Sequence, residues 1–494
     1  MNQMIPNWLL QREYLTPHRT ALVFSGKRWT FAELAHEARK YAGKLQFAGA
    51  ADGMRVAILA NNKPVTVFII HALQQLGIEA VFLNHKLTKE ELIFQLRDSD
   101  SGMLIYDASF SAAAEEMKTD VPDLIAVSVN RLDEEQGEGF KPRKEFALGQ
   151  PCSIMYTSGT TGNPKGVIQT YGNHWYSAIG SALNLGLQEQ DAWLCAVPIF
   201  HISGLSILMR SVIYGIPVYI MEQFSESEAN RLLKSGEITI MSVVAAMLSR
   251  MLEDLGEASY HAGFRCMLLG GGPAPMALLN RCKEKGIPVF QTYGMTETAS
   301  QVVTLAPEDS LRKLGSAGKP LFPVQIAIHR EDRPAAAFEA GEISIKAPNI
   351  TIGYLNRKEA NEQSFKDGWF RTGDIGYLDE EGYLFILDRR SDLIISGGEN
   401  VYPAEIENVL LSHPLVREAG VAGVEDPLWG KVPYAFIVPR KEVKTEDLFD
   451  FCASRLAKYK VPKRIIIVEA LPRSGSNKLL RRELPQLIPE EDGQ

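Results

Sequence analysis

The first half of the chain alternates short apolar runs with longer amphipathic segments, and this alternation strongly constrains the fold. Residues 55–60 (R-V-A-I-L-A) and 80–83 (A-V-F-L) have strand character, and a helical segment that starts at residue 65 lies between them. The pattern resumes with strand-like runs at 217–220 and 239–244. Strands and helices that alternate at this spacing form a parallel sheet with helices on its faces. At 494 residues the chain also exceeds what one hydrophobic core supports, so we expect at least two domains.

The sequence changes character near residue 315, where short β segments separated by glycine and proline begin. A charged segment, D-R-R-S-D at 388–392, follows, and the residues after it carry helix and strand signals. We therefore predict an α/β protein with a large N-terminal domain (1–388) of mixed and parallel sheets packed with helices. This domain includes a β-rich subdomain at about 315–388, and a small α+β C-terminal domain (393–494) completes the chain.

Charge and composition exclude several classes of protein. A net charge of −8 and a pI near 5.7, without a basic stripe, argue against a nucleic-acid partner, so an anionic ligand must be held by a local site. The five cysteines are scattered and include no C-x-x-C pair, which argues against a disulfide framework or a zinc site. The N-terminus lacks the apolar core of a signal peptide, and the most apolar stretch (207–221) is short and contains Arg210. We expect a cytoplasmic protein without membrane insertion.

The run from Tyr156 to Gly166, Y-T-S-G-T-T-G-N-P-K-G, has the composition of an anion site. Its glycines let backbone amides approach a ligand closely, its serine and threonine hydroxyls can donate to phosphate oxygens, and Lys165 adds a positive charge. It is not a Walker A loop, because Pro164 precedes the lysine and Gly166 follows it. A flexible linker is the alternative, but a linker needs neither the lysine nor the hydroxyls. We predict a polyphosphate-binding loop that follows a buried strand.

Four further motifs place this loop in a wider pattern: Y-G-M-T-E-T (293–298), R-T-G-D-I-G (371–376), D-R-R-S-D (388–392) and P-R-S-G-S-N-K-L-L-R-R-E-L (472–484). Together they resemble the adenylate-forming family, which includes acyl-CoA synthetases, luciferases and the adenylation domains of peptide synthetases. The resemblance covers essentially the whole chain. It implies that a carboxylate attacks the α-phosphate of ATP, giving an acyl-adenylate and pyrophosphate, and that the thiol of coenzyme A then displaces AMP. ATP, Mg²⁺ and coenzyme A are the implied small-molecule partners.

The resemblance also assigns nucleotide-binding roles. The loop residues and Lys165 would hold the β- and γ-phosphates, Tyr293 would face the adenine, and Asp374 with Arg389 would bind the ribose. Glu297 is the implied Mg²⁺ ligand, because Mg²⁺ prefers a hard carboxylate. Core packing for Tyr293 and a salt bridge on a turn for Glu297 are the structural alternatives. The full predicted ATP- and AMP-binding set is Thr157, Ser158, Gly159, Thr160, Thr161, Gly162, Lys165, Gly270, Gly271, Gly272, Pro273, Tyr293, Gly294, Thr296, Asp374 and Arg389.

The C-terminal domain of this family is mobile, and the resemblance implies that it carries the catalytic lysine. Here that lysine is Lys478, which would bridge the incoming carboxylate and the phosphate; Asn477 stands before it where the family commonly has glycine. Asparagine tolerates left-handed backbone, so the turn can survive. The implied hinge lies at 389–392, at Ser391 with Asp392 as the next choice. The implied pantetheine tunnel is lined by Ser396, Gly397 and Gly398.

Several segments, among them I-F-H-I-S-G-L, G-G-G-P-A-P and R-S-D-L-I-I-S-G-G-E-N-V-Y-P-A-E-I-E, are also similar to the o-succinylbenzoate–CoA ligases of menaquinone biosynthesis. That substrate carries a ring carboxylate besides the one that is activated, and a buried unpaired charge is costly, so its pocket must supply donors. We predict His201, Ser203, Arg210 and Ser242 as acyl-pocket residues. His201 and Lys165 join Lys478 as predicted catalytic residues, although His201 can also serve as a gate and Arg210 can pair with an acid elsewhere.

Three alternatives stay open at this stage. The chain could be a CoA ligase for another aryl or aliphatic acid, or a stand-alone adenylation module that loads a carrier protein. A nucleotide sensor without catalysis is the third, and it is disfavoured because Glu297, Asp374, Arg389 and Lys478 are all present. A homo-oligomer is compatible with the sequence.

Overall fold

A computed structural model describes residues 3–135, 140–157, 164–271, 276–313, 315–330, 333–388, 394–401, 403–472, 479 and 481–489. The chain divides into two compact units. The first unit contains Met1–His85, Gln95–Tyr156 and Gly166–Leu387, and the second contains Lys86–Phe94, Thr157–Lys165 and Asp388–Gln494.

The described part of the chain contains both α-helices and β-strands throughout. Its helices, numbered α1 to α14 in chain order, are Trp8–Leu15, Phe31–Phe47, Pro64–Leu76, Lys89–Asp98, Ser111–Asp120, Val129–Glu134, Tyr171–Leu185, Ile202–Tyr214, Glu226–Ser235, Ala245–Leu255, Met276–Glu284, Lys358–Ser364, Pro403–Leu411 and Thr445–Ala453. Its strands, numbered β1 to β29, are Met4–Pro6, Thr20–Phe24, Lys27–Thr30, Arg55–Leu59, Glu79–Phe82, Ser101–Tyr106, Ile125–Ser128, Glu145–Ala147, Pro151–Thr157, Lys165–Thr170, Trp193–Cys195, Val218–Ile220, Ile240–Val243, Cys266–Leu269, Val289–Met295, Ser300–Leu305, Ser316–Pro320, Gln325–Arg330, Arg333–Pro334, Gly341–Lys346, Gly353–Tyr354, Phe365–Lys366, Trp369–Leu378, Leu384–Asp388, Ile394–Ser396, Glu399–Val401, Val416–Asp426, Gly430–Pro439 and Arg464–Ile467. None of the described helices is long and apolar enough to span a membrane.

The first unit is built on two large sheets. One sheet has the strand order β21-β10-β9-β5-β4-β6-β7, in which the strands from β9 to β7 are parallel. The other has fifteen strands among the described residues, and its parallel part has the order β15-β14-β13-β11-β12-β2. The predicted alternation of strands and helices is confirmed, with β4, α3 and β5 at the first three segments identified in the sequence.

Helix α3 shows how the sequence builds the core of the first unit. It starts at Pro64, which suits the first helical position because proline has no amide hydrogen to leave unsatisfied, and it ends at Gly77 with φ of 73°. Every residue from Thr66 to Leu76 is buried, as expected for a helix packed on all sides. One hydrophobic cluster joins this helix to strand residues of both large sheets, including Val56 and Trp193.

The β-rich region predicted near residue 315 continues the fifteen-stranded sheet. Strands β16 and β17 pair antiparallel, β17 pairs with β24, and β23 and β20 extend the sheet to β18. A second hydrophobic cluster holds this part together and includes Tyr293, Val303 and Ile343.

The second unit contains a five-stranded sheet of order β26-β25-β28-β27, with β29 parallel to β28. One hydrophobic cluster includes residues of α13 and α14, such as Ile406 and Leu448, and another includes Phe436 and Leu484. This is the small α+β arrangement that the sequence predicts. With the large N-terminal α/β unit, it confirms the predicted fold class.

A buried charge cluster in the second unit contains one lysine and two glutamates. The ammonium of Lys460 donates to Glu91 Oε1 and to Glu405 Oε1, each at 2.7 Å, and Glu405 Oε2 is buried without a hydrogen-bond partner among the described residues. Burial raises the pKa of Glu405 to about 7; the positive charge of Lys460 opposes this rise and the negative charge of Glu91 supports it. The cluster therefore holds more negative charge than one lysine can balance.

We compare the free energy of unfolding of Glu405→Gln with that of the parent chain at the same pH. We expect the difference to favour the variant more at pH 8 than at pH 5. The folded pKa of Glu405 lies above its unfolded value, so its contribution to stability is present below the unfolded pKa and is lost as pH rises through about 7. Glutamine keeps an acceptor for Lys460 and removes the charge. Urea unfolding at the two pH values should give a difference of about 2 kcal/mol. Glu446→Gln, at an exposed position of α14, is the matched control, and equal pH profiles for the parent and Glu405→Gln would contradict the prediction.

Candidate active site

The ends of the predicted phosphate loop are described, and its centre is not. Strand β9 ends at Thr157 and β10 starts at Lys165, and the residues from Cys152 to Met155 are all buried. The loop thus follows a buried strand, as predicted. The predicted positions that lie outside the described residues are Ser158, Gly159, Thr160, Thr161, Gly162, Gly272, Pro273, Arg389, Ser391 and Lys478.

Tyr156, the first residue of the run, is anchored to the first unit by its hydroxyl, which donates to Asp98 Oδ2 at 2.8 Å. Burial raises the pKa of this tyrosine well above its usual value, with support from the hydrogen bond to Asp98. The phenol therefore stays neutral and acts as a fixed donor. Arg357 pairs with the same aspartate at 2.9 Å, so the strand that leads into the loop is held by a charged pair.

Two predicted nucleotide-binding residues meet directly. Tyr293 on β15 donates its hydroxyl to Asp374 Oδ2 on β23 at 2.6 Å, and both residues are buried. The turn around Asp374 is fixed by Gly373, which has φ of 74° and donates its amide to Glu342 Oε1. The ring of Tyr293 also belongs to a hydrophobic cluster, so core packing and a polar contact coexist at this tyrosine.

The first three residues of the Y-G-M-T-E motif, Tyr293 to Met295, lie inside a strand and do not follow it. Strand β15 runs on to Met295 and pairs antiparallel with β16, with an irregularity at Tyr293 and Gly294. The cause is the close return of the chain: a Cβ on Gly294 would lie 2.1 Å from the carbonyl oxygen of Ser300. Glycine lets the hairpin close, and the strand can then extend through the motif.

We expect Asp374→Asn to weaken ATP binding by about 10- to 100-fold, because the amide removes the negative charge of the residue predicted to accept from the ribose hydroxyls. Titration calorimetry with ATP measures this directly. Asp367→Asn is the matched control: this exposed residue has φ of 53°, a conformation that asparagine tolerates. Unchanged ATP affinity in Asp374→Asn would remove Asp374 from the nucleotide site.

Glu297 lies on a short helical turn, Thr296–Thr298, whose carbonyls are held by hydrogen bonds. Gln169 Nε2 donates to the Thr296 oxygen at 2.7 Å, and the Thr351 amide donates to the Glu297 oxygen at 2.7 Å. The carboxylate itself accepts from the Tyr354 hydroxyl at 3.0 Å. This contact is a hydrogen bond from a neutral phenol. The metal role of Glu297 and the alternative, a salt bridge on a turn, both stay predictions.

Gly270 and Gly271 follow β14 directly. The amide of Gly270 donates to the carbonyl of Val243 at 3.0 Å, and Gly271 has φ of 85°, which explains glycine at this position. Both therefore lie at the carboxyl end of a parallel strand, where ligands of open α/β sheets bind.

The predicted acyl-pocket residues are distributed along α8 and β13. His201 directly precedes α8, and its ring contacts that of Phe200 at 4.6 Å between centroids. Ser203 is exposed in the first turn of the helix, whereas Arg210, seven residues later, is 2% exposed. Ser242 on β13 is buried and accepts from Trp193 Nε1 at 3.1 Å.

Arg210 is a buried cation that no described carboxylate neutralises. Its guanidinium donates to Ser177 Oγ at 3.4 Å, lies 5.4 Å from the centre of the Trp193 ring, and has no partner for Nε among the described residues. Burial lowers the pKa of Arg210. Burial also lowers the pKa of His174 to about 4, and the positive charge of Arg210 contributes to that shift. The predicted alternative, an acid paired with Arg210, is not found within the described part of the chain.

The second unit contains the predicted tunnel residues at the tip of a hairpin. Strand β25 ends at Ser396 and β26 starts at Glu399, so Gly397 and Gly398 form the two-residue turn with φ of 58° and 85°. Positive φ at both positions favours glycine. The ring of Trp429 covers this turn, since a Cβ on Gly397 would lie 2.6 Å from it.

Several polar residues near these positions were not predicted from the sequence: Gln169, Ser177, Trp193, Tyr354 and Asn349, whose side chain donates to the Thr298 carbonyl. The first four contact a predicted site residue, and Asn349 contacts the residue after Glu297. No local sequence pattern signals these contacts, because each joins residues that are far apart in the chain.

In the first unit, predicted nucleotide-binding motifs lie at the ends of parallel strands. The second unit is a small α+β unit. Together, these two features define an enzyme of the AMP-binding class. The family model of the AMP-binding enzymes matches residues 11–355, and that of the AMP-binding enzyme C-terminal domain matches residues 405–478. The chain belongs to the AMP-binding enzyme family. The resemblance of its motifs to adenylate-forming enzymes is thereby confirmed.

Within this family the chain is similar to 2-succinylbenzoate–CoA ligases. It is 56% identical to that of Geobacillus kaustophilus (strain HTA426) over 490 residues, which is 99% of each chain. It is 51% identical to that of Bacillus subtilis (strain 168) over 480 residues, 97% of each. This confirms the similarity predicted from the shorter segments.

Two solved structures of the Bacillus subtilis o-succinylbenzoate CoA synthetase are similar to this chain. A double mutant bound to a product analogue, OSB-NCoA, has a TM-score of 0.94 and 51% identity, covering 98% of this chain and 99% of the other. The same enzyme in complex with ATP and magnesium ion has a TM-score of 0.77 and 50% identity, covering 98% and 100%.

Proposed function

We propose that this chain is an ATP-dependent o-succinylbenzoate–CoA ligase that serves menaquinone biosynthesis. It activates the succinyl carboxylate as an acyl-adenylate with release of pyrophosphate, and it then transfers the acyl group to coenzyme A with release of AMP. Identity of 56% and 51% over nearly full length to ligases of this name supports the activity. The structural observation that carries the choice of acid is the buried, unneutralised Arg210.

In the first half-reaction negative charge builds on the phosphates, so catalysis consists mainly of positioning and electrostatic stabilisation. We assign the phosphates to the loop that begins at Thr157 and to Lys165, the adenine to Tyr293, and the ribose to Asp374. The hydrogen bond between Tyr293 and Asp374 supports this assignment, because it fixes the carboxylate beside the ring. A fixed acceptor loses less entropy when the ribose diol binds.

Magnesium is a partner of ATP in this proposal, and the residues present fit it. Mg²⁺ is commonly held by one or two carboxylates together with substrate phosphates. Glu297 supplies a single carboxylate, and no described group of three or more His, Cys, Asp or Glu could hold a resident metal. When bound with ATP, the ion would neutralise charge on the phosphates. Glu297 would hold it.

The acid is selected by Arg210 and the residues around it. A cation buried without a carboxylate is costly, and a carboxylate on the ligand would supply the missing charge. The ring carboxylate of o-succinylbenzoate is such a group, and a simple fatty acid has none. Trp193, held by Ser242, offers an aromatic wall beside the guanidinium. Ser203 and His201 lie at the start of the same helix as Arg210.

The second half-reaction uses the C-terminal domain, for which we propose the boundaries 393–494 and a hinge at 389–392 with Ser391 as its pivot. Lys478 would act in the first step. Ser396, Gly397 and Gly398 would line the path of the pantetheine arm. We propose that the reaction takes place in the cytoplasm, which fits the scattered cysteines without a C-x-x-C pair.

ATP–pyrophosphate exchange with a panel of acids tests this proposal. We expect strong exchange with o-succinylbenzoate and weak exchange with benzoate, a cinnamate or a fatty acid. AMP release that depends on coenzyme A should follow with the preferred acid. Preference for another acid would overturn the substrate assignment. Acyl transfer to a phosphopantetheinylated carrier protein with little turnover of free coenzyme A would indicate a loading module.

A further inference from the structure

Tyr354 lies at the edge of the seven-stranded sheet, on a short strand that returns to β10. Strand β21 pairs antiparallel with β10, and Tyr354 is opposite Val167, two residues beyond Lys165. Its side chain is 8% exposed, and its hydroxyl donates to Glu297 Oε1 at 3.0 Å. Tyr354 thus links strand β10, which follows the phosphate loop, to the Glu297 carboxylate, which is assigned to magnesium.

The ring of Tyr354 is held in place independently of this hydrogen bond. Asn361 Oδ1 accepts from the Tyr354 amide at 2.7 Å, and Asn361 Nδ2 donates to the Tyr354 carbonyl at 2.9 Å. The ring belongs to a small hydrophobic cluster with Val167 and Phe370. The hydroxyl therefore reaches Glu297 from a fixed support.

The backbone of Glu297 is likewise fixed without Tyr354. Its carbonyl accepts from the Thr351 amide, and the carbonyl of Thr296 accepts from Gln169 Nε2. Loss of the tyrosine hydroxyl would leave the turn anchored and would affect mainly the direction of the carboxylate. A lysine or an arginine at this position would neutralise the negative charge of the Glu297 carboxylate, which a bound cation needs. A phenol orients the carboxylate and leaves that charge in place.

We propose that Tyr354 is a positioning residue that orients the Glu297 carboxylate toward the Mg²⁺ that accompanies ATP. This inference rests on the proposed function, because it takes Glu297 as the metal-binding carboxylate. Groups that hydrogen-bond to metal ligands typically contribute about 10- to 100-fold in metal affinity. The role is distinct from catalysis, since Tyr354 would act through Glu297.

Titration calorimetry on Tyr354→Phe tests the proposal. Mg²⁺ is titrated into the enzyme bound to an ATP analogue with a methylene bridge between the α- and β-phosphorus atoms. We expect Mg²⁺ affinity to fall by about tenfold, while affinity for the metal-free analogue and the melting temperature stay unchanged. Tyr383→Phe is the matched control: this buried tyrosine also donates to a carboxylate, Asp309 Oδ2 at 2.6 Å. It should leave Mg²⁺ affinity at the parent value.

The double variant Glu297→Gln/Tyr354→Phe separates an orienting role from a packing role. If Tyr354 acts through Glu297, the tyrosine substitution should add no further loss of Mg²⁺ affinity to Glu297→Gln. Parent-like affinity in Tyr354→Phe, or an equal additional loss in both backgrounds, would overturn the proposal. Absence of o-succinylbenzoate-dependent exchange in the parent enzyme would instead overturn the proposed substrate, and it leaves the Mg²⁺ titration to be decided independently.

Discussion

Arg210→Met should reduce kcat/KM for o-succinylbenzoate by a factor on the order of 10²–10³, because removal of one partner from a buried charge pair leaves the other charge unpaired. The methionine fills most of the space of the arginine stem, so the pocket should keep its shape. The same variant should retain activity with β-benzoylpropionate, which lacks the ring carboxylate. If activity falls only with the acid that has the ring carboxylate, the Arg210 guanidinium is the partner of that carboxylate.

The same substitution should stabilise the protein without ligand. The parent places a cation among Ser177, Trp193 and other buried groups with no described carboxylate, and burial lowers its pKa. Replacement by an apolar side chain removes this desolvation cost, and urea unfolding should report a gain of about 1 kcal/mol. Arg250→Met is the control, because Arg250 is exposed and pairs with Glu226. Equal losses of activity with o-succinylbenzoate and β-benzoylpropionate would contradict the anchoring role. A lower free energy of unfolding would contradict the desolvation cost that we assign to the Arg210 charge.

Arg210 also shows where prediction from sequence ends. Its position on a helix after His201 could be predicted, and so could the need for a cation in the pocket. Its burial could not, because an arginine on a helix is ordinarily exposed, and the side chains that enclose it come from α7 and β11. The pocket is assembled from segments whose proximity depends on tertiary packing.

The fold was easier to predict from the sequence than the site. Strands such as Arg55–Leu59 and Cys266–Leu269 are apolar runs bounded by polar residues or glycine, and the helices between them have a clear apolar periodicity. The extension of β15 through Tyr293 could not be predicted locally, because it depends on the return of Ser300 against Gly294. Similarly, Tyr354 meets Glu297 across 57 residues of chain, and no local pattern contains that contact.

Described residues that follow Lys478 in the sequence are anchored to the second unit. Arg481, three residues further on, forms a two-pronged ion pair with Glu407, with Nε at 2.8 Å and Nη2 at 2.6 Å from the carboxylate oxygens. Glu407 Oε1 also accepts from the Val421 amide at 2.9 Å. Leu484 packs in the core of the same unit. The chain beyond Lys478 is therefore fixed to β27 and α13, which gives a substitution at Lys478 a local effect.

Lys478→Ala should reduce the rate of acyl-adenylate formation by a factor on the order of 10²–10³, the cost of removing one group that stabilises charge in the transition state. The second half-reaction should stay close to the parent rate when synthetic acyl-adenylate and coenzyme A are supplied, because the role proposed for the lysine is confined to the first step. Rapid-quench measurement of each half-reaction separates the two rates. Lys431→Ala, at an exposed lysine of β28, should leave both unchanged. Equal losses in both half-reactions would show that Lys478 acts on the whole cycle, and an unchanged first step would remove it from catalysis. Since Arg481 keeps the following chain in place, loss of folding is not expected to account for the result.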